Sequence, residues 1–358
     1  MLIVRSPVRI SFAGGGTDLP TFYEQFGGSV LSASINKYFY TILGKRSDGR
    51  IQVISSDLRI FETWRDIAAM DVRGSGLEIP LAVMKDLGRD MSVDLFLASE
   101  IPPGTGLGSS ASVCVNILKT LATYLQMPLS KYDLAERALH IARYGLRRHV
   151  GKQDEYAAAY GGLNRIIFHR DGGTEVVPVM LDPEFACAFE HSLMLFFTGS
   201  AHHSWTILEE QEKSTRTLGS SAVRALKKTQ SFVTEMHEAL RKSDLPNFGS
   251  LLDHAWQAKK QVSTKISSSR IDHLYRTARD HGAMGGKITG AGGGGFLLLC
   301  CEPANQVDVR RAMAEEGVRE MTFAFDSHGT QIIANDPFID GDDATGSRWT
   351  FVPVAFSL

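Results

Sequence analysis

No apolar run in the 358-residue chain approaches the roughly 20 residues that a membrane span requires. The opening stretch MLIVRSPVRISFAGG lacks the basic-then-apolar layout of a secretory signal, because Pro7 and Arg9 interrupt it. A cytoplasmic protein without membrane partners is expected. Charge of one sign is also lacking. The 38 Lys and Arg stand against 40 Asp and Glu, a net of −2, so no bulk attraction to nucleic acid or anionic lipid is expected. Cysteine is scarce, and Cys114, Cys187, Cys300 and Cys301 show neither metal-ligand nor redox spacing. They read as small buried hydrophobes in a reducing compartment. H-E-x-x-H is absent. The adjacent His202 and His203 would point to different sides of an element, which argues against a shared metal. There is no internal repeat and no low-complexity tract.

What is present is ordinary globular composition, 43% apolar and 22% charged, over a length that favours two domains. The texture changes from mixed strands and helices to long helical stretches. This predicts an α+β chain with domains over 1–180 and 181–340, and a tail over 341–358 that includes DGDDATGSRW. RISFAGG and YFYTILGKRS read as strands, with RIQVISS as a hairpin partner of the latter across SDG. Helices are predicted over 76–88, over 109–126, from Ser130 onward, and around 203–242 and 247–262. GGLNRIIFHRDGGTEVVPV predicts a hairpin, and SLMLFFTGS a strand.

The glycines are clustered, and the clusters carry the chemistry. IPPGTGLGSSASVCV follows an alternating strand, VDLFLAS. It runs into an amphipathic helix with Val113, Ile117 and Leu121 at four-residue spacing and Ser109 or Ser110 near the N-cap. A helix N-terminus attracts anions through unpaired N–H groups and the macrodipole. Gly104, Gly106 and Gly108 have no side chain to hold a phosphate away. The lysine of G-x-x-x-x-G-K-[ST] is missing, and the spacing is not that of the dinucleotide fingerprint. Taken alone, such a loop is more often a structural turn. Upstream, SPVRISFAGGGTDLP puts an arginine in a strand before three glycines and the Thr17–Asp18 pair, a polar set suited to a polyhydroxylated ligand. A tight turn capped by Asp18 is the plainer alternative.

Three glycine clusters in this order change the reading. PVRISFAGGGTDLP, PPGTGLGSSAS and KITGAGGGGF resemble the first, second and third motifs of the GHMP kinases, from about residue 5 to 300. The resemblance implies a ribosomal-protein-S5-like N-terminal domain and a ferredoxin-like C-terminal domain, with ATP and acceptor bound between them. Pro103, Gly104, Thr105, Gly106, Leu107, Gly108, Ser109 and Ser110 would wrap the ATP phosphates, and Ser110 would ligate Mg²⁺. Gly15, Gly16, Thr17, Asp18, Gly292 and Gly293 would face the acceptor, although close packing is nearly as good a role for the third motif.

In GKQDEYAAAYGG the resemblance gives Asp154 the task of orienting or deprotonating the acceptor hydroxyl, with Glu155 as its competitor. Arg9 would keep Asp154 ionised and offset charge on the transferring phosphoryl group. One departure stands out. Relatives carry a magnesium-binding glutamate about twelve positions before that aspartate, where this chain has Ala142. Glu136 lies roughly 240° round the helix from Ala142 and cannot simply replace it, which leaves the metal to Ser110, ATP oxygens and water.

Within the family, RISFAGGGTDLP and GKQDEY look most like kinases of D-glycero-D-manno-heptose 7-phosphate. Those enzymes phosphorylate the anomeric hydroxyl and supply nucleotide-activated heptose to surface polysaccharide, capsule or lipopolysaccharide. The partners implied are ATP and a small sugar phosphate, and a homodimer is left open. Arg143, Arg147, Arg148 and Lys152 form a local supply of cations, of which Lys152 is assigned to the acceptor phosphate. A fucokinase-like or other free-sugar 1-kinase is the alternative. In a different class, so is a catalytically silent sensor of the same fold.

Overall fold

The computed structural model describes residues 1–199, 215, 221–263 and 265–336. The His202–His203 pair, most of the 203–220 stretch and the 341–358 tail lie outside the described residues. Elements are numbered over the described part.

The first half is built on a long antiparallel pair, β1 (Leu2–Ala13) and β2 (Gly28–Lys45), joined through the short helix α1 (Pro20–Phe26). The register slips between Pro7 and Val8, where proline has no N–H to give the ladder. β2 is long enough to take two further partners. Its start pairs with β6 (Leu163–Phe168), which turns into β7 (Thr174–Pro178), and its end pairs with β5 (Val93–Ser99). β3 (Ile51–Ser55) and β4 (Ile60–Trp64) form a hairpin with each other. β3 does not pair with β2, contrary to the hairpin expected across SDG. β5, buried at every second position, inserts between them and pairs with β3 in parallel. Arg46 holds the splayed connection by donating to Asp48 and Asp94.

Over the inner face lie α2 (Glu78–Leu87), α3 (Ser109–Tyr124), α4 (Lys131–His140) and α5 (Gln153–Tyr160). A π-helical turn, Ile141–Gly145, follows α4. Ser130 caps α4 in a reciprocal box with Asp133.

The second half contains α6 (Pro183–His191), β8 (Leu193–Phe197), α7 (Ser221–Arg241), α8 (Leu245–Lys260) and α9 (Ser269–Asp280). After these come β9 (Ala283–Ile288), β10 (Phe296–Cys301), α10 (Gln306–Glu315) and β11 (Arg319–Glu320). Its sheet runs β11-β8-β10-β9, the order of a ferredoxin-like split βαβ unit. The last strand, β12 (Gln331–Asn335), grouped by sequence with the second half, instead pairs with β1 and completes the edge of the first sheet.

Two of the three hydrophobic clusters straddle the halves, one through Phe22 of α1 and the larger through β1. Ile10 and Phe12 of β1 meet Phe189, Phe232, Phe248 and Leu298. Phe12 packs against Phe189 and Phe248 with ring centroids 5.7 and 5.5 Å apart, so the far end of β1 is set rigidly against the C-terminal helices. The cysteines are all unpaired. Cys114, Cys300 and Cys301 are buried, whereas Cys187 is exposed and so departs from the expectation of four buried thiols. No helix among the described residues is long and apolar enough to cross a membrane.

Candidate active site

A cavity of about 620 Å³ lies where the halves meet, lined by all three glycine clusters. The second cluster leads into α3. Its cap is Gly108 in a left-handed conformation, not Ser109 or Ser110, and no side chain closes the helix end. The first N–H groups of a 16-residue helix are therefore left to an anion. Pro103, Gly104, Gly106, Gly108, Ser109 and Ser110 line the cavity. Thr105 and Leu107, assigned to the same loop, are fully buried. The Thr105 hydroxyl donates to Pro102 O, and Leu107 O accepts from the Arg9 amide.

The third cluster packs on the back of the second. A Cβ on Gly290 would fall 2.6 Å from Gly106 Cα, and one on Gly295 would fall 2.2 Å from Thr105 O. Gly290 and Ala291 reach the cavity. Gly292 and Gly293, assigned to the acceptor, turn instead to Ile266, whose carbonyl accepts from the Gly293 amide. The reason is geometric: loop touches loop at van der Waals distance, and only hydrogen atoms fit between.

Asp154 sits in the first turn of α5, beside Gly108. Arg9, on the neighbouring strand and nearly buried, donates to Asp154 Oδ1 from Nε at 2.8 Å and pairs with it through Nη2 at 2.7 Å. Its third arm, Nη1, donates to Gly106 O at 2.7 Å. One guanidinium thus fixes the carboxylate and the glycine loop together. Asp18 lines the cavity and is held from both sides. Its Oδ1 accepts from Gly16 N, and its Oδ2 accepts from the Gln153 backbone N and Nε2. Burial, and secondarily Asp154, raise its pKa. Thr17 is wholly internal, its hydroxyl engaged with Gly14 O, Ser29 O and Ser29 N. Gly15 and Gly16 line the cavity.

Lys152 is not directed at this site. Its ammonium pairs with Glu136 at 3.0 Å, donates to Gly172 O and Thr174 Oγ1, and lies over the Tyr23 ring. The residue precedes α5 on the side facing α4, so its proximity in sequence to Asp154 misleads. Lys152→Met is therefore expected to lower stability by about 1–3 kcal/mol. The same variant should leave the preference for phosphorylated over free acceptor unchanged in steady-state kinetics. Arg143 donates to Val150 O, and Arg148 lines the cavity while donating to Glu78.

Glu155, which the sequence offers only as the competitor of Asp154, and three residues missed from sequence, Ser11, Gln153 and Lys259, add to the lining. Ser11 Oγ, Gln153 Oε1 and Glu155 Oε2 are buried polar atoms without a hydrogen-bond partner, and all three residues face the cavity. Lys259, at the end of α8, donates to Gly290 O. Burial, and then Arg9, lower its pKa to about 8, while burial, and then Asp154, raise that of Glu155 to about 8. Gln153 and Glu155 had a signal, adjacency to Asp154. Lys259 had none, since a Lys-Lys pair at a helix end looks like a solvated terminus. Lys287 anchors the arrangement from below by donating to Ser11 O and Phe12 O at 2.7 and 3.0 Å. Among the described residues no group of three or more His, Cys, Asp and Glu is placed to hold a metal, so a cation here would rely on fewer protein ligands, substrate oxygens and water.

The chain matches known proteins along most of its length. The GHMP kinases N terminal domain corresponds to residues 78–162 and the GHMP kinases C terminal domain to residues 236–319. The chain is 30% identical over 332 residues to D-glycero-alpha-D-manno-heptose 7-phosphate kinase of Campylobacter jejuni, covering 91% of this chain and 97% of that one. A crystal structure of a D-glycero-D-manno-heptose 1-phosphate kinase from Bacteroides thetaiotaomicron superimposes with a TM-score of 0.79 at 26% identity, over 94% of this chain and 100% of that one. Galactokinase of Lactococcus lactis, complexed with galactose, shares the fold with a TM-score of 0.73 at 19% identity, over 92% and 94%. Motif order, loop packing and full-length similarity agree: the chain belongs to the GHMP kinase family.

Proposed function

We propose that the protein is an ATP-dependent sugar kinase that transfers the γ-phosphoryl group to the anomeric hydroxyl of D-glycero-D-manno-heptose 7-phosphate, giving the 1,7-bisphosphate. The observation that carries a polyol acceptor is the pair of unpartnered buried polar atoms on Ser11 and Gln153 beside Asp154. Buried polar groups without partners are rare and costly, and sugar hydroxyls would satisfy them. The uncapped N-terminus of α3 takes the triphosphate of ATP. Asp154 accepts a hydrogen bond from the attacking hydroxyl and then its proton. Arg9 holds that carboxylate in place, and its link to Gly106 O couples acceptor and donor positions. Ser110 fits a role in holding Mg²⁺, which when bound neutralises charge on the β- and γ-phosphates.

With Lys152 turned away, the acceptor's own phosphate falls to Lys259. Its ammonium has three donors and can hold a phosphate oxygen alongside Gly290 O. Losing such a charge-assisted contact costs about 1.5–3 kcal/mol, so Lys259→Met should reduce kcat/KM for the phosphorylated sugar roughly 10- to 100-fold and leave an unphosphorylated sugar little affected. The same variant should gain stability. The folded pKa, about 8, is below the ordinary lysine value, so burying the cation opposes folding below pH 8. That penalty fades as pH rises from about 8 toward 10.4. At pH 7 the gain is expected to be on the order of 1–3 kcal/mol, shrinking through that window in urea titrations. The substrate assignment is tested by comparing kcat/KM for heptose 7-phosphate, free heptose, mannose and fucose. Preference for a free sugar overturns the heptose phosphate and leaves a sugar kinase, whereas binding without turnover of any of them points to a sensor.

A further inference from the structure

We propose that Glu155 supplies the carboxylate of the magnesium site in place of the glutamate that this chain lacks at Ala142; the inference rests on the kinase reading above. Ser110, Ala111, Cys114 and Ala142 all line the cavity, and of the further acids there Glu78 is paired with Arg148 and Asp57 accepts from Ser55. The nearest upstream acid, Glu136, is occupied by Lys152 and by the Tyr156 hydroxyl, and it is not part of the cavity lining. The helix also changes at this point. Ile141–Gly145 is a π turn, with Leu146 N donating to Ile141 O and Arg148 N to Ala142 O. Such insertions re-aim side chains at functional sites.

Glu155 reaches the same cavity from α5. It is only 3% exposed, and its Oε2 has no hydrogen-bond partner. The charged neighbours compensate it only in part. Asp154 and Asp18 repel it, while the nearby Arg143 donates to Val150 O and the Tyr23 hydroxyl. A buried carboxyl oxygen without a partner is rare and costly, and a cation would satisfy it. A hydrated divalent ion that keeps water and phosphate oxygens as its other ligands fits this requirement.

The test uses the full chain with a non-hydrolysable ATP analogue and Mn²⁺, followed by electron paramagnetic resonance of the free ion and by the metal-dependent shift in melting temperature. Glu155→Gln is close to isosteric and removes only the ability to become a carboxylate. It is expected to weaken Mn²⁺ binding to the nucleotide complex roughly 10- to 100-fold and to abolish the melting shift, with metal-free nucleotide affinity unchanged. Adding Ala142→Glu to Glu155→Gln places an acid at the position where the family resemblance implies one and is expected to restore Mn²⁺ affinity. Metal affinity within about twofold of the parent in Glu155→Gln overturns this inference alone. So does a rise in sugar KM with metal affinity intact, which would make Glu155 a sugar contact. Failure of the parent chain to bind the nucleotide overturns the kinase reading and this inference together.

Discussion

Asp154→Asn is expected to lower kcat by roughly 10²-fold or more, the range of a group that handles a proton in the transition state, with nucleotide affinity close to the parent's. The geometry explains the split. Both Arg9 contacts fall on Oδ1 of Asp154, and the third Arg9 bond goes to the glycine loop rather than to the carboxylate. The amide keeps the shape but cannot take up the hydroxyl proton. It also leaves Arg9, 4% exposed, without its counter-charge. A stability loss of about 1–3 kcal/mol should accompany the kinetic effect, measurable by urea denaturation. Single-turnover kinetics with saturating ATP separates the two. A near-native rate of phosphoryl transfer would remove Asp154 from the mechanism and bring Glu155 forward as the base.

The second large effect is expected at Gly106, for a reason that differs from the one its motif suggests. As a phosphate-loop residue, Gly106→Val should act by blocking the triphosphate. In the fold, the position of the missing Cβ lies 2.5 Å from Thr289 O, at a φ of +80°. A side chain there must separate the second and third glycine clusters before it meets any ligand. Backbone strain of about 1–3 kcal/mol and overpacking of about 1–3 kcal/mol then add. Gly106→Val is expected to lose both nucleotide binding, by calorimetry, and several kcal/mol of stability. Loss of binding with full stability would show that the loop yields toward the ligand alone. Full retention of binding would mean that this is not the phosphate loop.

The features legible in the sequence were those written locally. The strand–glycine loop–helix passage before α3, the hairpin of β6 and β7, and the cap of α4 each depend on residues within a few positions of one another. What was not legible depends on where an element is placed. Lys152 and Asp154 are two residues apart, yet one faces α4 and the other the cavity, because α5 begins between them. Lys259 joins the site from 105 residues beyond Asp154 by virtue of how α8 packs, which no local pattern announces. The insertion of β5 between β2 and β3 is likewise a competition among strands that no local pattern decides. Glycine itself was ambiguous. In the third cluster its absent side chains make room mainly for another loop, and the sequence cannot tell that apart from room for a ligand.

The pairing of β1 with β12 also has a consequence in time. Arg5 and Gln331, joined by a hydrogen bond across the two strands, are 326 residues apart in the chain. At roughly 5–20 residues per second, the ribosome makes the second strand about 15–65 s after the first. Throughout that interval the Leu2–Arg5 edge of β1 presents unpaired N–H and C=O groups, the kind of edge that recruits strands from other chains. Nascent copies on one polysome are therefore at risk from each other until residues 331–335 emerge, and the rate of translation limits how soon the first sheet can close.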